Sequence, residues 1–408
     1  MSEAPTPPAN RHARRFAMLV VLTYAISFGI VAPVLPDLIR SLAKVEVARA
    51  ALIGGLMNSI YGLAQFLLSP LVGALGDRFG RRPVILIVLV ALVIDSLLLA
   101  VAPTVGWLFL GRFVAGGLGA VFAPAQALVA DVTRPDERAS GFGALGAAFG
   151  VGFVVGPAIG GLLARFGLRA PFLAAAALAA LVLLYGLVAL KETLPVERRR
   201  PLDWRRANPI GAFAALRTQP AIVPVAGAIF LWLLAVNLYP ALWSFHAIER
   251  FGWSPTMLGV SFSLVGLSLA LAQALAIKPM VGRFGTRTTI LIGLSWAATA
   301  FTINAINPIG WLALVFAALV GIQGVVQPSL SSLLSARVPA DRQGEILGLG
   351  SSLAALAILL APLMYNPAFE YLIGPDSPAY LPGGPFLIAA ALSVACAVLV
   401  SRMREEPA

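Results

Sequence analysis

Apolar stretches recur about every 33 residues along the chain, separated by short polar connections. They fall at 16–36, 51–71, 83–103, 107–129, 140–163, 171–190, 220–242, 255–276, 288–306, 310–335, 344–366 and 384–401. Each is close to the ~20 residues a helix needs to cross a ~30 Å hydrocarbon core. The stretches are apolar all round rather than along one stripe, as expected of helices surrounded by lipid and by other helices. Alternating ten-residue segments are absent, so the backbone must be satisfied within helices rather than in a closed barrel. The pattern predicts an all-α membrane protein with twelve transmembrane helices. Residues 1–15 are polar and carry Arg11, Arg14 and Arg15, like the basic end of a signal peptide. The apolar stretch that follows is long and lacks a convincing cleavage site, so it is read as the first helix.

Composition sharpens this picture. Apolar residues make up 59% of the chain and charged residues 12%, against about 25% charged in a soluble domain. The mean hydropathy of +0.91 leaves no soluble reading. The net charge of +11 invites a nucleic-acid role, but the placement of the charges argues against it. With the N-terminus inside, 22 of the 29 Lys and Arg lie in cytoplasmic segments, 6 lie outside, and Arg112 lies within a span. That asymmetry is the positive-inside signal of a multi-pass membrane protein and puts both termini in the cytoplasm. A single cysteine, Cys396, excludes an intramolecular disulfide and a cysteine-ligated metal.

The longest polar connection, 191–219, carries six arginines and four prolines with its flanking Pro220, and a short interfacial helix near Trp204 is expected in it. It divides the chain into an N-terminal tail (1–15), a six-helix bundle (16–190), this cytoplasmic linker (191–219), a second six-helix bundle (220–402) and a C-terminal tail (403–408). The two bundles are related by an offset of 205 residues. Arg78-Phe79-Gly80 maps onto Arg283-Phe284-Gly285, Arg82 onto Arg287, Gly116 onto Gly321, Gly119 onto Gly324, Gly143 onto Gly348 and Pro157 onto Pro362. A constant offset over three separated regions indicates a duplication. Parallel repeats of this kind place a substrate site at their interface near the midplane and work by rocking of one bundle against the other.

The loop between spans two and three contains Gly73, Gly76, Asp77, Arg78, Gly80, Arg81 and Arg82. Glycines let helix ends approach closely, and Asp77 with the arginines can bridge those ends and bias a gate. An ordinary positive-inside loop accounts for the arginines but not for the Gly–Asp–Gly spacing. In the fifth span, Gly150, Gly152, Gly156, Pro157, Gly160 and Gly161 crowd one helix. Each glycine costs about 1 kcal/mol relative to alanine, and the proline removes a hydrogen bond. Close packing between the bundles at Gly156-Pro157 offsets such a cost, and generic small-residue packing is the blander explanation.

The loop closely resembles the signature of the major facilitator superfamily. Pro33-Val34-Leu35-Pro36 resembles the end of the first span in its twelve-helix drug/proton antiporter group, and 110–120 matches that superfamily's fourth-helix motif. Gly146 to Gly161 looks like the fifth-helix antiporter motif, which in that group is associated with export. Arg250-Phe251-Gly252-Trp253, Gln273 and Met364-Tyr365-Asn366 extend the resemblance to the tetracycline exporters. The resemblance covers nearly the whole chain. It implies two pseudo-symmetric six-helix bundles and drug efflux.

Of eighteen acids, only Asp95 lies well inside a span, roughly 12 Å below the outer boundary. Placing such a group there costs about 2.5–3.5 kcal/mol. Arg112 lies roughly 7–8 Å deep in the next span, within side-chain reach if the two helices adjoin. Burial favours the neutral carboxyl, and a nearby guanidinium favours the carboxylate. A rearrangement that changes this balance binds or releases a proton, whereas a fixed pair is merely structural. The resemblance places Asp95 where tetracycline exporters have an essential aspartate. Where those exporters carry acids in spans one and nine and a histidine in span eight, this chain has Tyr24, Ala297 and Leu269. The resemblance therefore does not fix the substrate.

Candidate substrate residues are Asn58, Tyr61, Gln65, Gln126, Asn237, Gln273, Asn304, Gln323 and Gln327. The first three share a helix face at i, i+3, i+7, and each candidate alone is better explained as a helix–helix hydrogen bond or packing residue. Trp232, Trp243 and Phe262 are candidate aromatic walls, and His246 is expected in an outer loop. Few charges and many amides suit a neutral or amphipathic organic solute. The expected function is proton-coupled efflux of such a compound by a monomer embedded in the bilayer. Its partners are then the small molecule and protons, without nucleic acid, metal or cofactor. A facilitator or importer on the same fold is the alternative. No phosphate-binding Gly-x-x-x-x-Gly-Lys-[Ser/Thr] loop is present, so ATP does not drive transport within this chain. One intramembrane acid and two histidines, His12 and His246, argue against a membrane-embedded enzyme.

Overall fold

A computed structural model describes residues 8–134, 137–199, 219–338, 343–375 and 377–403, together with 211, 213, 216 and 217. Among these, eleven helical units are long and apolar enough to cross a membrane. One of them, Pro255–Ile306, spans 52 residues, far longer than one crossing requires. It turns at Gly285, whose φ of 77° lies outside the helical region. It therefore supplies two crossings, and the total is twelve. Gly80 holds the matching position in the first repeat with φ 105°. A side chain is strained at such a φ, which is why both sharp reversals carry glycine.

The first bundle consists of α1 (Pro8–Ala43), α2 (Val47–Phe79), α3 (Arg81–Val101), α4 (Val105–Leu118), α5 (Phe122–Val132), α6 (Arg138–Leu163) and α7 (Ala170–Ala189). The second consists of α8 (Val223–Val236), α9 (Leu238–Phe251), α10 (Pro255–Leu271), α11 (Ile277–Ile306), α12 (Gly310–Leu319), α13 (Val326–Ala336), α14 (Gln343–Ile373) and α15 (Gly384–Ser401). The helix α1 begins before the apolar stretch that predicts it. Spans four and ten are each broken: α4 gives way to α5 at Gly119, and α12 to α13 through a tight turn at Val320–Val325. These are repeat-related positions, and both carry glycine pairs. Of the linker, Trp204 and its surroundings lie outside the described residues.

The two bundles meet along α2 against α14 and α6 against α10. Glycine permits both contacts. A Cβ at Gly62 would overlap the backbone of Leu359, and one at Gly161 the backbone of Thr256. Hydrogen bonds between the bundles gather toward the end of the molecule that holds the α1–α2 connection. Asn366 is fully buried there, and its Nδ2 donates to the carbonyls of Ala51 (2.7 Å) and Ala241 (3.2 Å). Ser244 donates to Ala32 O at 2.8 Å, Thr256 to Gly161 O at 2.9 Å, and Asn58 Nδ2 to Pro240 O at 3.2 Å. Arg49 pairs with Glu370 at 3.1 Å. Toward the opposite end, which holds the α2–α3 reversal, a Cβ at Gly73, Gly143, Gly146, Gly150, Gly282, Gly348 or Gly350 would meet nothing within 4 Å among the described residues. The hydrogen bonds named between the bundles thus lie toward the α1–α2 end.

Asn366 ties one helix of the second bundle to α2 of the first, at the cost of burying a polar side chain. Replacing it with alanine leaves two carbonyls without their donor, a loss of about 1–3 kcal/mol for each unsatisfied group. In Asn366→Ala, a cysteine introduced at position 58 should react about tenfold faster with a water-soluble maleimide, at a scale of ~1.4 kcal/mol per tenfold. The native Cys396 is buried and gives little background. An unchanged labelling rate would mean that Asn366 does not hold this end shut.

Candidate functional site

The chemistry begins with two antiparallel neighbours. The connection 102–104 between α3 and α4 is short, so Asp95 and Arg112 face each other across the pair. Gly111 keeps the helices close: a Cβ there would lie 2.9 Å from Asp95 Oδ1. Asp95 is 3% exposed and Arg112 5%, and Arg112 Nη2 donates to Asp95 Oδ2. Asp95 Oδ1 and Arg112 Nε have no hydrogen-bond partner. A charge pair removed from water is favourable only when its remaining donors and acceptors are also satisfied. This one leaves an oxygen and a nitrogen over. Tyr24 on α1 and Tyr61 on α2 share a hydrogen bond at 2.8 Å and lie within the electrostatic reach of both Asp95 and Arg112. Four helices therefore converge on one polar patch.

The α2–α3 reversal builds a second network. Arg81 pairs with Asp77 at 2.7 Å, one turn earlier, and with Asp131 at the end of α5 at 3.0 Å. Glu192, just beyond α7, accepts from the backbone N–H of Arg81 at 2.8 Å and of Arg82 at 3.2 Å. A carboxylate at a helix N-terminus satisfies donors that have no partner within the helix and complements the helix dipole. Arg82 also donates to Leu187 O at 2.8 Å. Arg78 lies over the ring of Phe79, as Arg283 lies over Phe284 in the second repeat. The loop residues Asp77, Arg81 and Arg82 thus form a clamp on α2, α3, α5 and the end of α7, entirely within the first bundle. Gly76 lies beside Arg81, and Gly73 faces open space. Gly156 and Pro157 lie elsewhere, against Ile26 and Gly29 of α1. The sequence reading missed Asp131 and Glu192. Both are acids at the ends of apolar spans on the arginine-rich side, which is the signal that marks them.

The candidate substrate residues do not form one ring. Tyr61 joins the Asp95 patch, and Gln65 follows one turn on with a buried, unpartnered Oε1. Asn58, on the same face, is used in the contact between the bundles. Gln126 is exposed on α5. In the second bundle Asn237 caps the break between α8 and α9 by donating to Leu233 O at 2.7 Å. Gln323 is 3% exposed within the Val320–Val325 turn, faces Tyr239, and has an unpartnered Oε1. Asn304 is 2% exposed and donates to Ala300 O, again with a free Oδ1. Gln327 reaches Ser331 at 3.4 Å, and Gln273 is exposed on a widened helical turn at Ala272–Ala276. Trp232, Trp243 and Phe262 are buried in the hydrophobic core. His246 is not in a loop. It is 1% exposed within α9, where Nδ1 meets Pro382 O at 3.1 Å and the ring packs 4.7 Å from Phe386. The aromatic residues around it make this burial favourable. Among the described residues no three His, Cys, Asp or Glu gather as metal ligands.

A doubled helical bundle with a buried ion pair at its centre defines a class of membrane transporter. The match to the Major Facilitator Superfamily model covers residues 17–362 and 225–408, and the chain belongs to that superfamily. It is 37% identical to the class C tetracycline resistance protein of Escherichia coli over 91% of this chain and 92% of that one. It is 33% identical to the class G tetracycline resistance protein of Vibrio anguillarum, over 96% and 98%. Among solved structures it is similar to the human organic anion transporter MFSD10 (TETRAN), with TM-score 0.72, 26% identity, and coverage of 97% and 100%. A D-xylose–proton symporter, at 16% identity and TM-score 0.77 over 97% and 98%, shares the fold.

Removing the Glu192 carboxylate should loosen the clamp. Glu192→Ala is expected to destabilise the protein by about 1–2 kcal/mol, the usual loss for a helix-capping side chain, and Glu192→Asp by less. The unfolding midpoint of the purified protein reads this directly. A midpoint that does not move would show that the clamp contributes nothing to stability.

Proposed function

We propose that this chain exports a small amphipathic organic compound in exchange for protons, by alternating access between its two bundles. The supporting observation is the buried Asp95–Arg112 pair with its unpartnered oxygen, beside Tyr24 and Tyr61. A carboxylate so placed stays charged while the guanidinium is near and takes up a proton when it withdraws. In this reading Asp95 carries the proton and Arg112 sets when it is released. The Asp77–Arg81–Asp131 clamp, with Gly73, Gly76, Arg78, Gly80 and Arg82, moves as one rigid corner of the gate. Gly156 and Pro157 form the sliding contact between α6 and its neighbours.

With the arginine-rich end in the cytoplasm of a bacterium and both termini there, the Asn366 end is the closed outer gate and the opposite end is the inner opening of the route. Tyr61, Gln65, Gln126, Gln323 and Gln327 then flank the route between the bundles, while Asn58, Asn237, Gln273 and Asn304 serve the scaffold or the gate. The protein works as a monomer on a small molecule in the bilayer, without nucleic acid. The tetracycline resistance relatives favour drug efflux. A facilitator without proton exchange is favoured by one observation: at the positions where the exporters carry further ionisable groups, this chain has Tyr24, Ala297 and Leu269, and Ala297 is fully buried.

Transport in everted membrane vesicles, with and without an imposed pH gradient, separates the two. The exporter accumulates solute only with the gradient. Asp95→Asn should abolish that accumulation, by at least about 10²-fold, the low end of the loss expected for a proton-transfer group, while solute exchange without a gradient survives. Gradient-driven uptake that persists in Asp95→Asn would exclude Asp95 as the coupling residue.

A further inference from the structure

Five aromatic rings from three helices of the first bundle form a continuous line. Phe122 on α5 lies 5.3 Å from Phe149 on α6, Phe149 lies 6.0 Å from Phe153, Phe153 lies 6.4 Å from Phe28 on α1, and Phe28 lies 6.3 Å from Tyr24. The last three steps are nearly parallel, with interplanar angles of 23°, 26° and 25°. These spacings are those of offset-stacked rings. The line ends at the Tyr24–Tyr61 hydrogen bond, beside Asp95 and Arg112.

The line faces the space between the bundles, not lipid. On α6, Gly152, Gly156 and Gly160 abut α1, whereas Gly161 and Val154 abut Thr256 and Gly266 of α10. The lipid-facing row is Val151, Val155 and Leu162, which are 57%, 38% and 53% exposed. At ~100° per residue, Phe149 and Phe153 fall on the arc from the α1 row toward the α10 row, away from that exposed row. Gly146 and Gly150 share this arc, and a Cβ at either would meet nothing within 4 Å. Phe153 itself reaches the second bundle, where a Cβ at Gly266 of α10 would lie 3.2 Å from its Cδ1, so the rings sit at the boundary between the bundles. Unlike Phe16, Phe172, Phe301, Phe369 and Phe386, which are fully buried, these rings keep exposed area, and Phe122 keeps 37%. A ring whose only role is to fill the core has no reason to stay uncovered on the side away from lipid.

We infer that Phe28, Phe149 and Phe153 form a stacking wall of the substrate site, and that the solute it selects contains a flat conjugated ring system. This rests on the carrier reading above, and it adds residues and a selectivity which that reading does not contain. A flat ring enters as the next member of the stack, exchanging water for aromatic faces. A flexible chain of equal apolar area gains burial but no stacking.

Equilibrium binding to the purified protein in lipid nanodiscs, without a proton gradient, tests this with two cations that differ in shape: flat tricyclic proflavine and flexible dodecyltrimethylammonium. Wild type should bind proflavine the more tightly. Phe28→Leu, Phe149→Leu and Phe153→Leu keep apolar bulk and remove the ring face. Each should weaken proflavine by up to roughly tenfold, the upper range for an aromatic pair, and leave the alkyl cation within about twofold. Phe153→Tyr should retain proflavine and serves as the control for folding. No proflavine binding by wild type, or equal effects on both cations, overturns the inference. Binding is read at equilibrium without a gradient and does not involve the coupling step, so failure of proton coupling would leave this result standing.

Discussion

The ion pair between Asp95 and Arg112 is the interaction on which the rest of the structure turns. Two charges have been taken out of water into a bundle interior, where removing either partner alone would leave an uncompensated charge at a cost of about 3–5 kcal/mol. The surrounding helices are arranged to make the pair possible. Gly111 lets α3 and α4 come together, and Tyr24 and Tyr61 supply neighbouring hydroxyls from α1 and α2. The pair is still not fully satisfied, since Asp95 Oδ1 and Arg112 Nε are left over. A purely structural pair would be expected to use every acceptor. One with spare capacity can change partners.

Around this centre the molecule separates rigid from movable contacts. Within the first bundle, Arg81 binds two carboxylates and Glu192 caps α3, so the α2–α3 corner is held by charge-assisted bonds that do not cross to the other bundle. Between the bundles, by contrast, the contacts named are neutral amide and hydroxyl bonds to backbone carbonyls, with Arg49–Glu370 as an exposed ionic exception. Neutral bonds contribute about 0.5–1.5 kcal/mol each. A few of them hold one end closed without making it permanent, as a two-state carrier requires. Under the proposed alternating access, α2 would slide on α14 and α6 on α10, along surfaces where glycine has removed the side chains.

Much of this was legible in the sequence because a bilayer makes polar residues conspicuous. Asp95 and Arg112 stand out in apolar spans, and depth alone placed them within reach of each other. The constant repeat offset located Gly80 and Gly285 before their shared positive φ was seen. What could not be read were associations between distant, individually ordinary residues. Glu192 reaches Arg81 and Arg82 across more than a hundred positions, and its place at a span end on the arginine-rich side marks it out without naming its partners. Phe28, Phe149 and Phe153 look like core residues, since periodicity does not tell which arc of an all-apolar helix faces an internal space. The same ambiguity led to Trp232, Trp243 and Phe262, which are buried, and to a loop position for His246, which is part of a helix.

The central claim is that the Asp95 carboxyl exchanges protons with water during the cycle. Infrared titration of the purified protein in lipid, from acid to alkaline pH, observes that carboxyl directly. A protonated-carboxyl band that is absent in Asp95→Asn should appear and vanish with pH in wild type, and should move when Arg112 is replaced by glutamine. A spectrum in which Asp95→Asn removes no titrating band would contradict the account.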